Sequence, residues 1–285
     1  MEPAPIEASP YQDLYIYYLS GRFRPGRDFD PEHYIGCWEE GEFSFLFFTR
    51  PNMALVEATV NRLAGLELLD HYHMTYDQWQ GGDIVPCRIG RFAISPPWFE
   101  VDKKNTATTI VLDPGVVFGT GTHPTTRDCL EALQLAFEGT SIRSALDLGT
   151  GTGLLALAAA RMGCPKVLAA DLTLLAVRTA QKNVRLNGLS ERILVVQGDA
   201  EKFMDFTSDL VVTNIHYDVM KNLIGTPGFL KKKRFILSGL MRSEAARIES
   251  TLAGLPVEII RRWDQDGIWH TFYGASHVTC GDKKD

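Results

Sequence analysis

From about residue 105 onward, short apolar runs alternate with longer amphipathic stretches, a pattern that predicts strands and helices in turn. Ser144 to Leu148 predicts a strand, and Leu154 to Met162 a helix of strong helix formers that Gly163 and Pro165 stop. Lys166 to Ala170 predicts a second strand ending at Asp171, followed by a helix from about Leu174 to Leu186 that closes at Asn187 and Gly188. Ile193 to Gln197, Asp209 to Thr213 and Arg234 to Leu240 read as three more strands. Ser243 to Ala253 is an amphipathic helix, and Val257 to Trp263 with Trp269 to Tyr273 read as a closing strand pair. Such alternation predicts an α/β fold, a doubly wound and mostly parallel sheet with helices on both faces.

The first hundred residues lack that rhythm. Phe43 to Phe48 predicts a strand and Asn52 to Leu63 a helix, so residues 1–82 are read as a smaller α+β domain. Residues 83–109 are a linker or covering segment, in which Ile84 to Trp98 can form strands, and residues 110–278 are the main domain. Both Gly81-Gly82 and the polar stretch from Lys103 to Thr109 are candidate breaks.

Composition narrows the classes. The 285 residues exceed what one typical domain needs. With 29 Lys and Arg against 35 Asp and Glu, the net charge of −6 gives no long-range pull toward nucleic acid or anionic lipid. No apolar run approaches the ~18 to 20 residues that span a bilayer, which argues against a membrane protein. The opening MEPAPIEASP lacks the basic start and apolar block of an export signal. The five cysteines, Cys37, Cys87, Cys129, Cys164 and Cys280, are odd in number and irregularly spaced, which fits a reducing cytoplasm.

The most informative segment is ALDLGTGTG, Ala145 to Gly153. Position 154 is Leu, so the spacing is DxGxGxG and not the GxGxxG of dinucleotide binders. In a doubly wound sheet the ligand lies over the carboxyl ends of the strands, and Gly149, Gly151 and Gly153 let the backbone approach it there. Asp147, Asp171 and Asp199 fall at three successive strand ends, where Asp171 can accept from ribose hydroxyls and Asp199 can meet an adenine amine. Taken singly, each acid reads as a loop acid or helix cap; the ordered set points to a nucleoside-bearing cofactor.

These residues resemble the class I S-adenosylmethionine-dependent methyltransferases over roughly residues 105–275. That resemblance implies a Rossmann-like, seven-stranded methyltransferase domain with Asp147, Asp171 and Asp199 at cofactor-contacting positions. LDPGVVFGTGTHPTTRDCL, Leu112 to Leu130, is similar to the segment marking the PrmA family of ribosomal-protein lysine methyltransferases. GRFAISPPW, NIHY at Asn214 to Tyr217, SGL and Trp269 are similar to that family too. The resemblance implies methyl transfer from S-adenosylmethionine to lysine or N-terminal amines of a protein substrate, foremost a ribosomal large-subunit protein, in the cytoplasm. It covers the first ~80 residues poorly, and that domain is the family's substrate holder. Another protein or a small molecule is therefore the alternative acceptor, and a catalytically silent cofactor binder the reading from another class.

Within this frame Phe118 and Thr120 belong to a Gly-flanked loop able to close over the cofactor, and His123 with Pro124 opens a helix whose apolar face carries Leu130, Leu133 and Phe137. Asn214 ends the fourth strand, near both cofactor and acceptor, and with Tyr217 is the candidate catalytic pair. Trp98, Phe118, Tyr217 and Trp269 are candidates for an apolar channel that keeps the acceptor amine neutral; singly, each also reads as plain core. His216 is either a proton acceptor or a surface residue. Lys231 to Arg234 reads as a solvated turn, and His71 and His73, with no third ligand at suitable spacing, make no metal site.

Overall fold

The computed structural model describes residues 6–24, 29, 31–100 and 108–278. The first five residues, the polar break at 103–107 and Cys280 lie outside them.

The amino-terminal unit contains β1 (Asp13–Ser20), β2 (Tyr34–Glu40), β3 (Phe43–Phe48), α1 (Met53–Arg62), β4 (Glu67–Thr75) and α2 (Tyr76–Gln80). Its four strands form one antiparallel sheet in the order β2-β3-β1-β4. That order is the ferredoxin-like one, but no helix stands between β1 and β2 among the described residues. One face of the sheet gathers Tyr17, Leu19, Leu46 and Phe48 with Val56 of α1 and Phe23. The opposite face, Leu14, Ile16 and Phe47, packs with Tyr76 on Val116 and Leu175 of the main domain. Sequence periodicity located β3 and α1 and missed the other three strands. Inward residues on both faces of β1 remove the two-residue alternation, and β4 is an exposed edge strand rich in polar residues.

A small sheet covers the join: β5 (Cys87–Ile89), β6 (Phe92–Ser95) and β7 (Thr109–Val111). The main domain follows with α3 (Pro124–Phe137), β8 (Ser144–Leu148), α4 (Leu154–Arg161), β9 (Lys166–Asp171), α5 (Leu174–Leu186), β10 (Ile193–Gln197), α6 (Ala200–Phe203), β11 (Leu210–Asn214), α7 (Tyr217–Leu223), α8 (Pro227–Leu230), β12 (Arg234–Met241), α9 (Arg242–Ala253), β13 (Val257–Gln265) and β14 (Trp269–Ser276). Every strand and helix predicted beyond residue 140 is present, with boundaries within three residues. The seven strands lie in the order β10-β9-β8-β11-β12-β14-β13, parallel up to β12, with β14 antiparallel between β12 and β13.

Alternate strand residues feed two cores, as the pleat dictates. Ala145, Val167, Val212 and Ile236 face α3, α4 and α5; Leu146, Ala170, Val211 and Phe235 face α7, α8 and α9. The strand order reverses between β8 and β11, and the crevice above that reversal is where a doubly wound sheet takes its ligand.

The two units are locked together at Asp113, which is almost fully buried. Its carboxylate accepts from the Tyr11 hydroxyl, from the Gly115 amide at 3.0 Å and from the Lys182 ammonium. Tyr11 stacks on Tyr76, whose hydroxyl donates to the Gly115 carbonyl at 2.6 Å. Burial and the neighbouring Asp113 push the Tyr11 phenol well above its ordinary range, so it stays a donor. The Asn183 side chain accepts from the Asp113 amide and donates to the carbonyls of Asp113 and Thr152, each at 2.8 Å. Thus the LDPG stretch joins both domains to the glycine loop.

Candidate active site at the carboxyl edge of the sheet

The turn after β8 gives its three glycines a reason within the fold itself. All have positive φ, and a Cβ on each would strike the protein's own chain. At Gly149 it would lie 2.0 Å from Ile215 Cγ2, at Gly151 2.3 Å from the Phe118 carbonyl oxygen, and at Gly153 3.2 Å from Ala180 Cβ. The glycines make room for neighbouring elements of the chain itself.

Asp147 is the penultimate residue of β8 and is buried. Its Oδ2 accepts from the Thr150 hydroxyl at 2.6 Å and the Ala156 amide at 3.0 Å, bracing the loop onto α4, while its buried Oδ1 has no partner among the described residues. Burial pushes this carboxyl up to about 6. Asp171 closes β9; its Oδ1 accepts from the amide and hydroxyl of Thr173, and among the described residues its Oδ2 accepts only from the Gly151 amide, at 3.0 Å. Asp199 follows β10 and caps α6 through Oδ1, which accepts from the Glu201 amide. The residue after Asp171, Leu172, is 70% exposed, an apolar side chain held in the open beside that carboxylate.

Across the crevice, the Phe118–Gly121 loop is fastened to the glycine turn by Thr152, whose amide donates to the Phe118 carbonyl and whose hydroxyl donates to the Gly119 carbonyl at 2.6 Å. Among the described residues the Thr120 hydroxyl pairs only with that of Thr122, at 2.8 Å. The half-exposed Phe118 ring meets His123 edge-on at 5.2 Å, and His123 in turn meets Trp269 at 5.1 Å. Trp98 is not part of this row; it is buried against Tyr11 at the domain junction.

Asn214 closes β11, and its amide nitrogen donates to the Thr125 hydroxyl at 3.2 Å. Beside it β12 is bulged at Ser238-Gly239: a Cβ at Gly239 would stand 2.9 Å from Asn214 Oδ1, which gives the SGL stretch its reason. Ser238 turns its hydroxyl to Thr271, at 2.6 Å, and Thr271 donates to the buried Asp128. Tyr217 begins α7, half-buried, with the Lys221 ammonium 5.6 Å from its ring centre. His216 caps that helix through Nδ1 and is largely exposed, which favours its surface reading.

Two findings were not legible beforehand. Thr125 and Thr126 are buried in the site, the latter with an unpartnered hydroxyl, although both stand inside a segment already singled out. Lys232 corrects the solvated-turn reading of Lys231 to Arg234: it is only 2% exposed, donates to the Phe206 carbonyl, and burial lowers its ammonium to about 8. No cluster of three His, Cys, Asp or Glu suited to a metal ion occurs among the described residues, and none of their helices is long and apolar enough to cross a membrane.

The family model for ribosomal protein L11 methyltransferase (PrmA) matches residues 62–276. The chain belongs to the PrmA family. The ribosomal protein L11 methyltransferase of Desulfitobacterium hafniense is 40% identical over 185 residues, 64% of this chain and 58% of its own length. That of Exiguobacterium sp. is 39% identical over 178 residues, 61% of this chain and 56% of its own length. The chain thus spans a little over half the length of the curated PrmA relatives it matches. Among solved structures, the ribosomal protein L11 methylase of Lactobacillus delbrueckii subsp. bulgaricus superposes with a TM-score of 0.59 at 28% identity, covering 68% of this chain and all of that one. The PrmA match begins within α1, so β1 to β3 lie outside it.

Proposed function

We propose that the protein is a methyltransferase that moves the methyl group of S-adenosylmethionine onto lysine or N-terminal amines of a protein, with ribosomal protein L11 as the leading acceptor and the cytoplasm as the place of action. The observation that carries this reading is the arrangement of Asp147, Asp171 and Asp199 along three neighbouring strands, with Asn214 across the strand-order reversal. Family membership supports it, as do the curated relatives named for L11 methylation.

The residues fit the methyl donor. Asp171 retains acceptor capacity for ribose hydroxyls, Asp199 keeps one oxygen free for an adenine amine, and exposed Leu172 offers an apolar surface to a purine. The unpartnered Asp147 Oδ1, with Gly149, Gly151 and Gly153, suits the amino-acid half, and Phe118 and Thr120 form the loop over it. When bound, this group supplies a methyl carbon activated by a sulfonium leaving group, so the protein's task is position.

The acceptor must arrive as a neutral amine. A free lysine near pKa 10.4 lies about three units from neutrality at pH 7.4, a deficit of ~4 kcal/mol. Phe118, Tyr217 and Trp269 present apolar rings that disfavour the ammonium, whose proton leaves to solvent, while Asn214 orients the nitrogen. The net charge of −6 offers no long-range attraction to RNA, so the acceptor is the free protein.

Incubating the 285-residue chain with labelled S-adenosylmethionine and free L11 from the same source tests the reading. Label on L11 that disappears when its lysines become arginine supports it. Unlabelled L11 alongside a labelled band of another size moves the assignment to a different acceptor, an outcome made specific by β1 to β3 lying outside the family match.

A further inference from the structure

One backbone hydrogen bond determines the direction of a chain of three side chains. The Thr125 amide can only donate, and it points at His123 Nδ1 from 3.3 Å. Nδ1 therefore carries a lone pair, and the proton of the neutral ring sits on Nε2. The Thr125 hydroxyl, 2.7 Å from the same nitrogen, must donate to it as well. With its single proton committed, that hydroxyl has only lone pairs to offer Asn214, so the Asn214 atom facing it is the amide nitrogen, 3.2 Å away. Asn214 Oδ1 is then turned to the other side and accepts no hydrogen bond among the described residues.

The surroundings hold this arrangement in place. Thr125 is fully buried, and its carbonyl oxygen lies 3.3 Å from the Ser238 hydroxyl oxygen. His123 is gripped between the rings of Phe118 and Trp269.

We propose that Thr125 is a positioning residue whose hydroxyl, anchored on His123, turns Asn214 so that its carbonyl oxygen faces the acceptor, selecting acceptors that bring N–H donors over those that present only lone pairs. The proposal rests on the amine-methylating reading above and deepens it. Amines and amides carry such donors; carboxylates do not, and meet an unfavourable oxygen.

Thr125→Val keeps the shape of the side chain and removes the hydroxyl, while Thr125→Ser keeps the hydroxyl. With labelled S-adenosylmethionine and the protein acceptor, Thr125→Val should lower kcat at least tenfold, with both KM values within threefold of the parent. Thr125→Ser should recover kcat to within threefold. A Thr125→Val enzyme with parental kcat overturns the proposal, and so do Val and Ser variants that are equally impaired, since that pattern marks packing alone. The 15N shifts of His123, assigned with His123→Gln, supply a readout independent of turnover. The Nε2–H tautomer is expected, and the Nδ1–H tautomer overturns the chain. If the parent enzyme methylates no protein amine, the functional reading fails, while these shifts still decide the hydrogen-bond direction.

Discussion

Thr152 donates its amide to the Phe118 carbonyl at 3.1 Å, and the Cβ that its neighbour Gly151 lacks would stand 2.3 Å from that same oxygen. The glycine turn and the Phe118 loop are therefore one structure. Gly151→Ala strains a left-handed residue and displaces this contact, an expected cost of about 1 to 3 kcal/mol. A lower melting temperature and at least tenfold weaker S-adenosylmethionine binding by calorimetry should result. Unchanged affinity would separate the Phe118 loop from the donor site.

Asp147 makes stability depend on pH with an uncommon sign. Burial raises its native value to about 6, whereas an unfolded aspartate titrates near 3.9. Between these values the native state holds the extra proton, so this group's contribution is intact below about 4 and declines as pH rises through 6. By pH 7 the cost is on the order of 3 kcal/mol. Asp147→Asn does not titrate, so in urea unfolding the variant should gain on the parent by up to that amount between pH 4 and pH 7. A gap independent of pH would contradict the burial argument.

Asn214→Ala removes orientation and leaves the strand intact. Donor affinity should stay within a few-fold while turnover falls by at least ~100-fold, since misplacement penalises the step and not the complex. Near-normal turnover would remove Asn214 from the mechanism.

Asn183→Leu fills the same space without polar atoms. It strands the Asp113 amide and the carbonyls of Asp113 and Thr152, all bonded to Asn183 in the parent. Each buried orphan costs about 1 to 3 kcal/mol, so urea unfolding should show a loss of about 3 to 9 kcal/mol. A loss below 1 kcal/mol would show that water replaces the amide.

The sheet of the main domain was readable because its strands are short apolar runs ended by Asp or Gly, and its helices stop at Asn187-Gly188 and Gly163. The amino-terminal sheet was not, because β1 buries both faces and β4 neither. At the site, residue types at strand ends pointed to Asp171 and Asp199, but no spacing rule says that a glycine yields to a carbonyl 33 positions earlier, as Gly151 does to Phe118. Nor could sequence tell that Trp98 belongs to the Tyr11 junction or that Lys232 is buried, since both depend on which loops fold over them.

The face of the amino-terminal sheet bearing Leu14, Ile16 and Phe47 has its cover in Val116 and Leu175. Roughly 130 residues separate Phe47 from Leu175, so at ~5 to 20 residues per second a growing chain exposes this face for on the order of ten seconds before its partner is made. During synthesis the first strands are thus complete but unsheltered, and chaperone capture of nascent chains should peak at lengths between these two residues.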